Sequence, residues 1–551
     1  MKHIWRGALL TALTALLAIA ELQLPTFTEV SKEAGIAFKH SYGDHHLDNI
    51  VEGTGAGACT FDYNNDGLMD LYFVTGVWTR NVSDNEGRDL RGKLSNRLYR
   101  NDGKWRFTDV TSQAGVAGEG IFGTGCSAAD YDNDGDVDLY ILNYGPNVLY
   151  RNNGNGTFTN VSKESGLADS RWSVSAVWFD YNGDGLLDVY VGNYLLYDDG
   201  KFRDFYPAQG YPGPLSYSGQ PDALYRNNGD GTFTDVTKAA GVHQEDGRAM
   251  SVTAADFDND GDLDIYVAND AMENYYFENN GDGTFAEKAL QKGVAFGEGG
   301  QGVASMGPAV GDLDRNGWLD MFVPDLNYCS LFLQGPKGFV NRTEQSGLAT
   351  IMGQYAGWAA IMFDYDNDGW LDILTVHGNA HHEYVQEDTL VRNLGNGKFA
   401  DVSDVSGQYF HEKYVGRGAT WGDYDNDGDV DVVIINLNDH PKVLRNDGGN
   451  RNNWLNIEPR LKLAGGGTRA AIGARVVVTA GGLRQIDDVM PVRGYLSQGD
   501  ERLHFGLGSA AVADSVEIRW PGGVIQKLEN VKANQFLRLE HDAQSPGGGK
   551  P

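Results

Sequence analysis

An all-β fold, a seven-bladed propeller followed by a small β-sandwich-like domain, is what the sequence predicts, on three observations. An acidic nine-residue stretch recurs seven times. Each copy sits between short runs rich in β-branched and aromatic residues. A fragment of the repeat's last element stands alone ahead of the first copy, and the seventh repeat lacks that same element.

The acidic stretch is clearest in Asp256-Phe-Asp258-Asn-Asp260-Gly261-Asp-Leu-Asp264. Acids stand at its first, third, fifth and ninth positions and glycine at its sixth. Alternate carboxylates turn inward around one point, glycine takes the sharp bend, and the last carboxylate closes an oxygen shell of the kind that holds calcium. The copies recur at intervals of 68, 50, 76, 56, 52 and 59 residues. The expected ligand positions are Asp62, Asn64, Asp66 and Asp70; Asp130, Asp132, Asp134 and Asp138; Asp180, Asn182, Asp184 and Asp188; Asp256, Asp258, Asp260 and Asp264; Asp312, Asp314, Asn316 and Asp320; Asp364, Asp366, Asp368 and Asp372; and Asp423, Asp425, Asp427 and Asp431. They imply up to seven Ca2+ ions, mainly structural, holding hairpins shut. The fifth loop, with Asn316 at position five and Arg315 beside it, is expected to bind most weakly. Asn64 and Asn182 soften the first and third loops less. An EF-hand is excluded: position twelve is Phe73, Ile141, Val191, Val267, Val323, Thr375 or Ile434, never an acid, and the flanks read as strands. A calcium β-roll repeats every nine residues, far shorter than these intervals.

In chain order, residues 1–20 read as a signal peptide, with Lys2 and Arg6 basic, Ala8 to Ile19 apolar, and Ala18-Ile-Ala20 a small-x-small cleavage site. The apolar run is too short to span a bilayer, and no other stretch is apolar enough, so no transmembrane segment is expected in the mature chain. The mature protein is expected to start near Glu21 and to be secreted or periplasmic. Residues 21–451 form the propeller. Each repeat has an apolar Gly/Ala-rich strand, the acidic loop, a second strand, a third of the Leu-Tyr-Arg-Asn kind, and a fourth of the Phe-Thr-Asp-Val kind, as at Phe107 to Val110. The orphan copy at Phe27 to Val30 is placed to supply the strand that the seventh repeat lacks after Val443-Leu-Arg-Asn446, closing the ring. Insertions fall between second and third strands at Val77 to Ser95, Leu195 to Pro221 and Gly378 to Thr389, on the face away from the acidic loops, where binding is expected. Residues 452–541 change to strands without acidic loops, a separate small β domain expected to serve as a second module, and 542–551 is a Gly/Pro-rich flexible tail.

The formal net charge of −32 argues against a nucleic-acid partner. The ligand positions hold 25 aspartates, and seven divalent ions would offset 14 charges. Of the three cysteines, Cys59 and Cys126 precede their loops by three and four residues. That offset points them to opposite strand faces, and all three cysteines are read as small buried residues rather than as a disulfide.

The repeats resemble the FG-GAP or VCBS repeats of integrin-α-type propellers. The last domain resembles the ASPIC/UnbV domain, on Ala471-Ile-Gly-Ala-Arg475, Gly494-Tyr-Leu-Ser-Gln498, His504-Phe-Gly-Leu-Gly508 and Trp520-Pro-Gly-Gly523. The combination resembles the cartilage-acidic-protein-like family of secreted proteins. The resemblance implies calcium binding and extracellular adhesion or recognition of a protein or glycan, and no established reaction.

Histidines are the second signal. His40, His45, His46, His243, His377, His381, His382, His411 and His440 fall in loops assigned to the far face, and Glu383 follows His382. Such a set could hold zinc, copper or iron, which is the alternative reading, a metalloenzyme on the far face. The plainer reading is hydrogen-bonding surface residues, and for His40, in Phe38-Lys-His40, a structural role competes as well. There is no compact ligand spacing, Gly-x-Ser-x-Gly, P-loop or dinucleotide fingerprint. A glycosidase-type carboxylate pair stays open.

Overall fold

In the computed structural model, residues 24–118, 120–197, 211–326, 328–379 and 384–543 are described. The chain is all-β and forms a propeller. Among the described residues eight sheets are four-stranded and antiparallel, seven of them carrying an acidic loop, and the first is typical, with strands Ala58–Phe61, Asp70–Phe73, Arg97–Asn101 and Phe107–Asp109 in that order. A one-turn helix, Thr111–Ala114, follows the fourth strand and ends at Gly115 with φ 78°, a left-handed position that suits glycine. Each sheet packs face to face on the next. The innermost strands of the first, second, third and fourth sheets touch in turn, as do those of the fifth, sixth, seventh and first. The fourth and fifth share a core of Phe257, Tyr266, Tyr276, Met321 and Phe332.

The seventh sheet consists of Gly416–Gly422, Asp431–Asn436, Lys442–Asp447 and the N-terminal strand Thr26–Glu29. The orphan fragment therefore closes the ring, with Phe27 opposite Asn446 and Glu29 opposite Leu444. Phe27, 2% exposed, packs against Phe363, Tyr365 and Phe410. Deleting residues 21–36 from the mature chain is expected to leave Lys442–Asp447 as an unpaired edge and to cause aggregation in size-exclusion chromatography. A monomeric product with an unchanged melting temperature would contradict closure by this strand.

The C-terminal residues form two further sheets. Asn453–Lys462 lies between Thr468–Ala470, Leu503–Gly508 and the parallel strand Phe536–Asp542; the other sheet runs Leu483–Asp488, Arg475–Ala480, Val512–Arg519, Ile525–Lys532. They are not a detached module. The segment from Val489 to Arg502 runs into the axis of the ring and is buried there. Gln498 N donates to Ala58 O and Thr60 N to Gln498 O, both at 3.0 Å, on the first sheet. The Gln498 amide bonds Ala128 N and O on the second sheet, at 2.7 and 3.0 Å. Ser251 and Thr253 of the fourth sheet donate to Gly494 O and Val492 O, Arg493 reaches Val310 O on the fifth, and Tyr495 packs on Trp358 of the sixth. Asp500 N donates to Trp421 O on the seventh. Room for this plug comes from glycines: a Cβ on Gly57 or Gly307 would overlap the plug backbone at 1.9 or 2.1 Å. At the other end, Asp542 belongs to the last strand rather than to a tail, and Ala543 N donates to Lys462 O.

The cysteine expectation needs correction. Cys59 and Cys126 form a disulfide across the first and second sheets, while Cys329 is free and buried. Their side chains do point to opposite faces of their own strands. Adjacent propeller sheets, however, confront one another through opposite faces, so that offset is what brings the two thiols together. In the Leu195 to Pro221 insertion, Tyr211 and Tyr217 are 5% and 6% exposed and pack inward. Phe202, Phe205 and Tyr206 lie outside the described residues.

Candidate metal centres

Every acidic stretch is the connection between the first and second strands of its sheet, so the loops gather at one end of the ring. In the first loop, Asp62 accepts from the backbone N–H groups of Asp66 at 3.1 Å and Gly67 at 2.8 Å. Asp130, Asp180, Asp312, Asp364 and Asp423 repeat the pattern. The sixth-position glycine has a positive φ in every loop, from 85° at Gly67 to 99° at Gly261, as the bend requires. The ninth-position aspartate braces the loop. Asp70 accepts from Tyr63 N at 3.0 Å and from Asn101 N, on the third strand, at 2.7 Å. Asp264 keeps the third-strand bond, from Asn279 N, and takes its other from the Tyr276 hydroxyl.

Carboxylate oxygens of three residues come within 4.8 Å of one another in five loops: Asp130, Asp132 and Asp138; Asp256, Asp258 and Asp260; Asp312, Asp314 and Asp320; Asp364, Asp366 and Asp372; and Asp423, Asp425 and Asp431. In the first and third loops the position-three amides of Asn64 and Asn182 instead donate to Asp66 at 2.9 Å and Asp184 at 3.0 Å. Among the described residues those two loops gather no such trio, and the fifth, with Asn316, does. Asn316 turns its amide to Gln334 O at 2.7 Å.

The donor set fits a hard divalent cation. All donors are oxygens, and Asp132 Oδ1, Asp256 Oδ1, Asp258 Oδ1 and Asp425 Oδ1 are buried with no hydrogen-bond partner. A buried carboxylate oxygen without a donor is costly, and a cation would satisfy it. Burial, with neighbouring carboxylates adding to it, pushes Asp130 up to about 7 and Asp132 up to about 6. Burial likewise pushes Asp423 up to about 7, against the pull of Arg502.

The loops are also joined to one another, which the sequence reading missed. The fourth-position residue lies in the left-handed region at Asn65, Asn259, Arg315, Asn367 and Asn426. Each turns its side chain to the glycine carbonyl of the next loop: Asn65 to Gly135, Asn259 to Gly317, Arg315 to Gly369, Asn367 to Gly428 and Asn426 to Gly67. Arg315 thus faces the sixth loop and lies 3.5 Å over the Trp370 ring. Asn133 of the second loop shares this backbone conformation, but Arg469 of the C-terminal sheets supplies the donor to the next loop's Gly185 O at 3.2 Å, and Gly183, without a side chain, stands at this position in the third loop. A second set of links starts from the Asn of the Leu-Tyr-Arg-Asn motif. Asn101, Asn152, Asn227, Asn279, Asn393 and Asn446 each donate to a second-position carbonyl of the preceding loop, at 2.8 to 3.0 Å. The recurrence of that Asn was the available signal.

The C-terminal sheets lie against the same loop face. Arg475 donates to Asp256 O at 2.7 Å while paired with Asp488, Arg502 donates to Asp423 O at 3.0 Å, and His504 bonds Asn367 at 2.6 Å.

Among the described residues the histidines do not assemble. His40 and His377 are 1% exposed, and burial lowers each to about 3, so they are core residues rather than surface ones. His45 pairs with Asp89, His46 with Glu86, His243 with Glu245 and His411 with Asp404, and His440 bonds Phe38 O. Among the described residues no metal-capable group contains a histidine. His381, His382 and Glu383 lie outside them.

Comparison with known proteins gives two family matches: FG-GAP-like repeat at residues 62–141, 130–191, 210–267, 256–323 and 364–434, and ASPIC and UnbV at 465–546. Similar curated proteins are cartilage acidic protein 1 of Homo sapiens, 27% identical with 75% of this chain and 62% of that protein covered, and of Xenopus tropicalis, 26% identical with 78% and 66% covered. The chain thus spans less than two thirds of the length of these relatives. Similar solved structures include a lectin of Agrocybe aegerita that recognises non-reducing terminal N-acetylglucosamine, with 18% identity, TM-score 0.41, and 72% of this chain and 90% of that chain covered. Another is a chain of the complex of BBS1N with ARL6DN, with 10% identity, TM-score 0.40, and 74% and 97% covered. No helix among the described residues is long and apolar enough to cross a membrane.

Proposed function

We propose, from the premise that this chain belongs to the FG-GAP-like repeat family and ends in an ASPIC and UnbV domain, that it is a calcium-braced extracellular recognition protein. The observation that carries this reading is the set of five converging aspartate trios, four of their oxygens buried without a donor. Calcium sits in the acidic loops, up to seven ions per chain, and its work is structural: it neutralises carboxylates that hold the loop end of each sheet and link it to the next. Oxygen-only donors favour calcium over softer metals. The Cys59–Cys126 disulfide supports an oxidising compartment, secreted or periplasmic, with cleavage near Ala20. Adhesion or recognition of an extracellular protein or glycan follows the relatives named cartilage acidic protein 1. The loop end is occupied by the C-terminal sheets, so the partner is assigned to the opposite face. The test is binding of the calcium-loaded protein to arrayed glycans and immobilised matrix proteins. Saturable binding that survives changes on the loop side, such as Asp260→Asn, is expected. Absence of binding across both arrays would contradict the recognition role.

A further inference from the structure

At the face opposite the acidic loops, the axis of the ring opens into a cavity of about 100 Å³, roughly the liquid volume of three waters. Its lining comes from several sheets: Tyr194, Met250, Asp270, Met306 and Trp358, with Tyr211 from the insertion. Below it lies the plug, whose Tyr495 hydroxyl donates to Thr54 O at 2.9 Å.

One carboxylate in this wall is incompletely used. Asp270 is 6% exposed. Its Oδ2 accepts from the Tyr194 hydroxyl at 2.6 Å, and its Oδ1 has no hydrogen-bond partner among the described residues. The nearby cations make their hydrogen bonds elsewhere, and Arg248, whose Nε has no hydrogen-bond partner, acts on Asp270 through charge alone. Arg248 donates to Tyr217 O at 2.9 Å and pairs with Asp246 at 3.3 Å. Arg417 donates to the carbonyls of Gly53, Gly416 and Asn379 and lies 3.9 Å over the Trp358 ring. Asp325, which accepts from Ala304 N of the lining at 3.0 Å, is also buried beside this mouth, which disfavours an anion. A sugar would leave most of its hydroxyls facing methionine and aromatic walls. A carboxylate at the cavity wall with one oxygen unbonded calls for a charged donor, the apolar walls suit methylenes, and the tyrosine rings favour a cation at their faces.

We propose that this cavity binds a primary ammonium group on a short unbranched alkyl arm, with Asp270 as its counter-charge. The arm is either a free small amine or the side chain of a lysine on a partner protein. The proposal deepens the recognition reading by naming chemistry for the opposite face, and it does not depend on calcium in the loops.

The test is titration of the full-length, calcium-loaded protein with n-butylammonium, n-butanol and n-butyrate by calorimetry or by side-chain NMR shifts. Saturable binding of n-butylammonium, at least about tenfold tighter than n-butanol, with no binding of n-butyrate, is expected. Asp270→Asn should weaken butylammonium binding at least about tenfold and leave butanol unchanged. If that variant does not fold, Met306→Trp, which fills the cavity from an apolar wall, should abolish butylammonium binding at a retained melting temperature. A lysine peptide that binds and loses binding on ε-acetylation identifies the protein source; amines binding where the peptide does not identifies the free one. Failure of butylammonium to bind, equal binding of butanol, or full binding by either variant overturns the proposal. None of these results bears on the calcium content of the loops.

Discussion

Metal-free protein is expected to melt about 10 °C below the calcium-loaded form. A weak extracellular calcium site at ten times its Kd stabilises the folded state by about 1.4 kcal/mol. Seven independent loops would contribute about 10 kcal/mol, and a chain of this size loses about 1 °C per kcal/mol. Melting is to be followed after chelation and dialysis, then with calcium restored. An unchanged melting temperature with the metal shown to be gone would refute the bracing role. The pH dependence of the metal-free form gives an independent check. Asp130, Asp132, Asp256, Asp312 and Asp423 are all raised, to between about 6 and about 7, chiefly by burial. Between the ordinary carboxylate range and pH 7 the folded state then binds more protons than the unfolded state, so stability falls as pH rises. Metal-free protein should therefore melt higher at pH 5 than at pH 7.5, and calcium should remove most of that difference.

The second large effect is expected from the plug. Ending the chain after Arg451 removes Val489 to Arg502 from the axis and opens backbone groups of the innermost strands, Ala58 O, Thr60 N and Ala128 N among them. Each buried group left without a partner costs about 1–3 kcal/mol, and the packing of Tyr495 and Leu496 is lost besides. The truncated chain is expected to be aggregated or molten by size-exclusion chromatography and near-UV circular dichroism. In the full chain, Gln498→Ala unmakes both amide bonds to Ala128 and is expected to cost about 2–5 kcal/mol in urea unfolding. A truncated propeller that stays monomeric and melts cooperatively at the full-length temperature would contradict a load shared between ring and plug.

Much of the fold could be read from the sequence because the repeat is long, regular and chemically marked. The acidic loops located every first and second strand, and the orphan Phe27 to Val30 located the closing one. What stayed hidden depends on contacts between elements. The offset of Cys59 and Cys126 was read on single strands, where opposite faces mean separation, whereas stacked sheets turn it into contact. The ending of the acidic pattern after Asp431 read as a separate unit. Nothing in Gly494-Tyr-Leu-Ser-Gln498 by itself says that it enters the axis, although Gly57 and Gly307, which leave room for it, were visible as small residues. His377 read as a surface loop residue because loop position does not reveal burial. The donor positions of the candidate centres were legible, but the links from Asn65 to Gly135 and from Asn152 to Tyr63 required the neighbouring loop in place.

Metal content of the purified protein tests the calcium reading most directly. In equilibrium dialysis against millimolar calcium, elemental analysis should find, above the free ion, at least the five ions that the aspartate trios can hold, rising toward seven as calcium is raised, with zinc, copper and iron at trace levels. Calcium below one ion per chain at millimolar concentration, or a near-stoichiometric transition metal in its place, would contradict it.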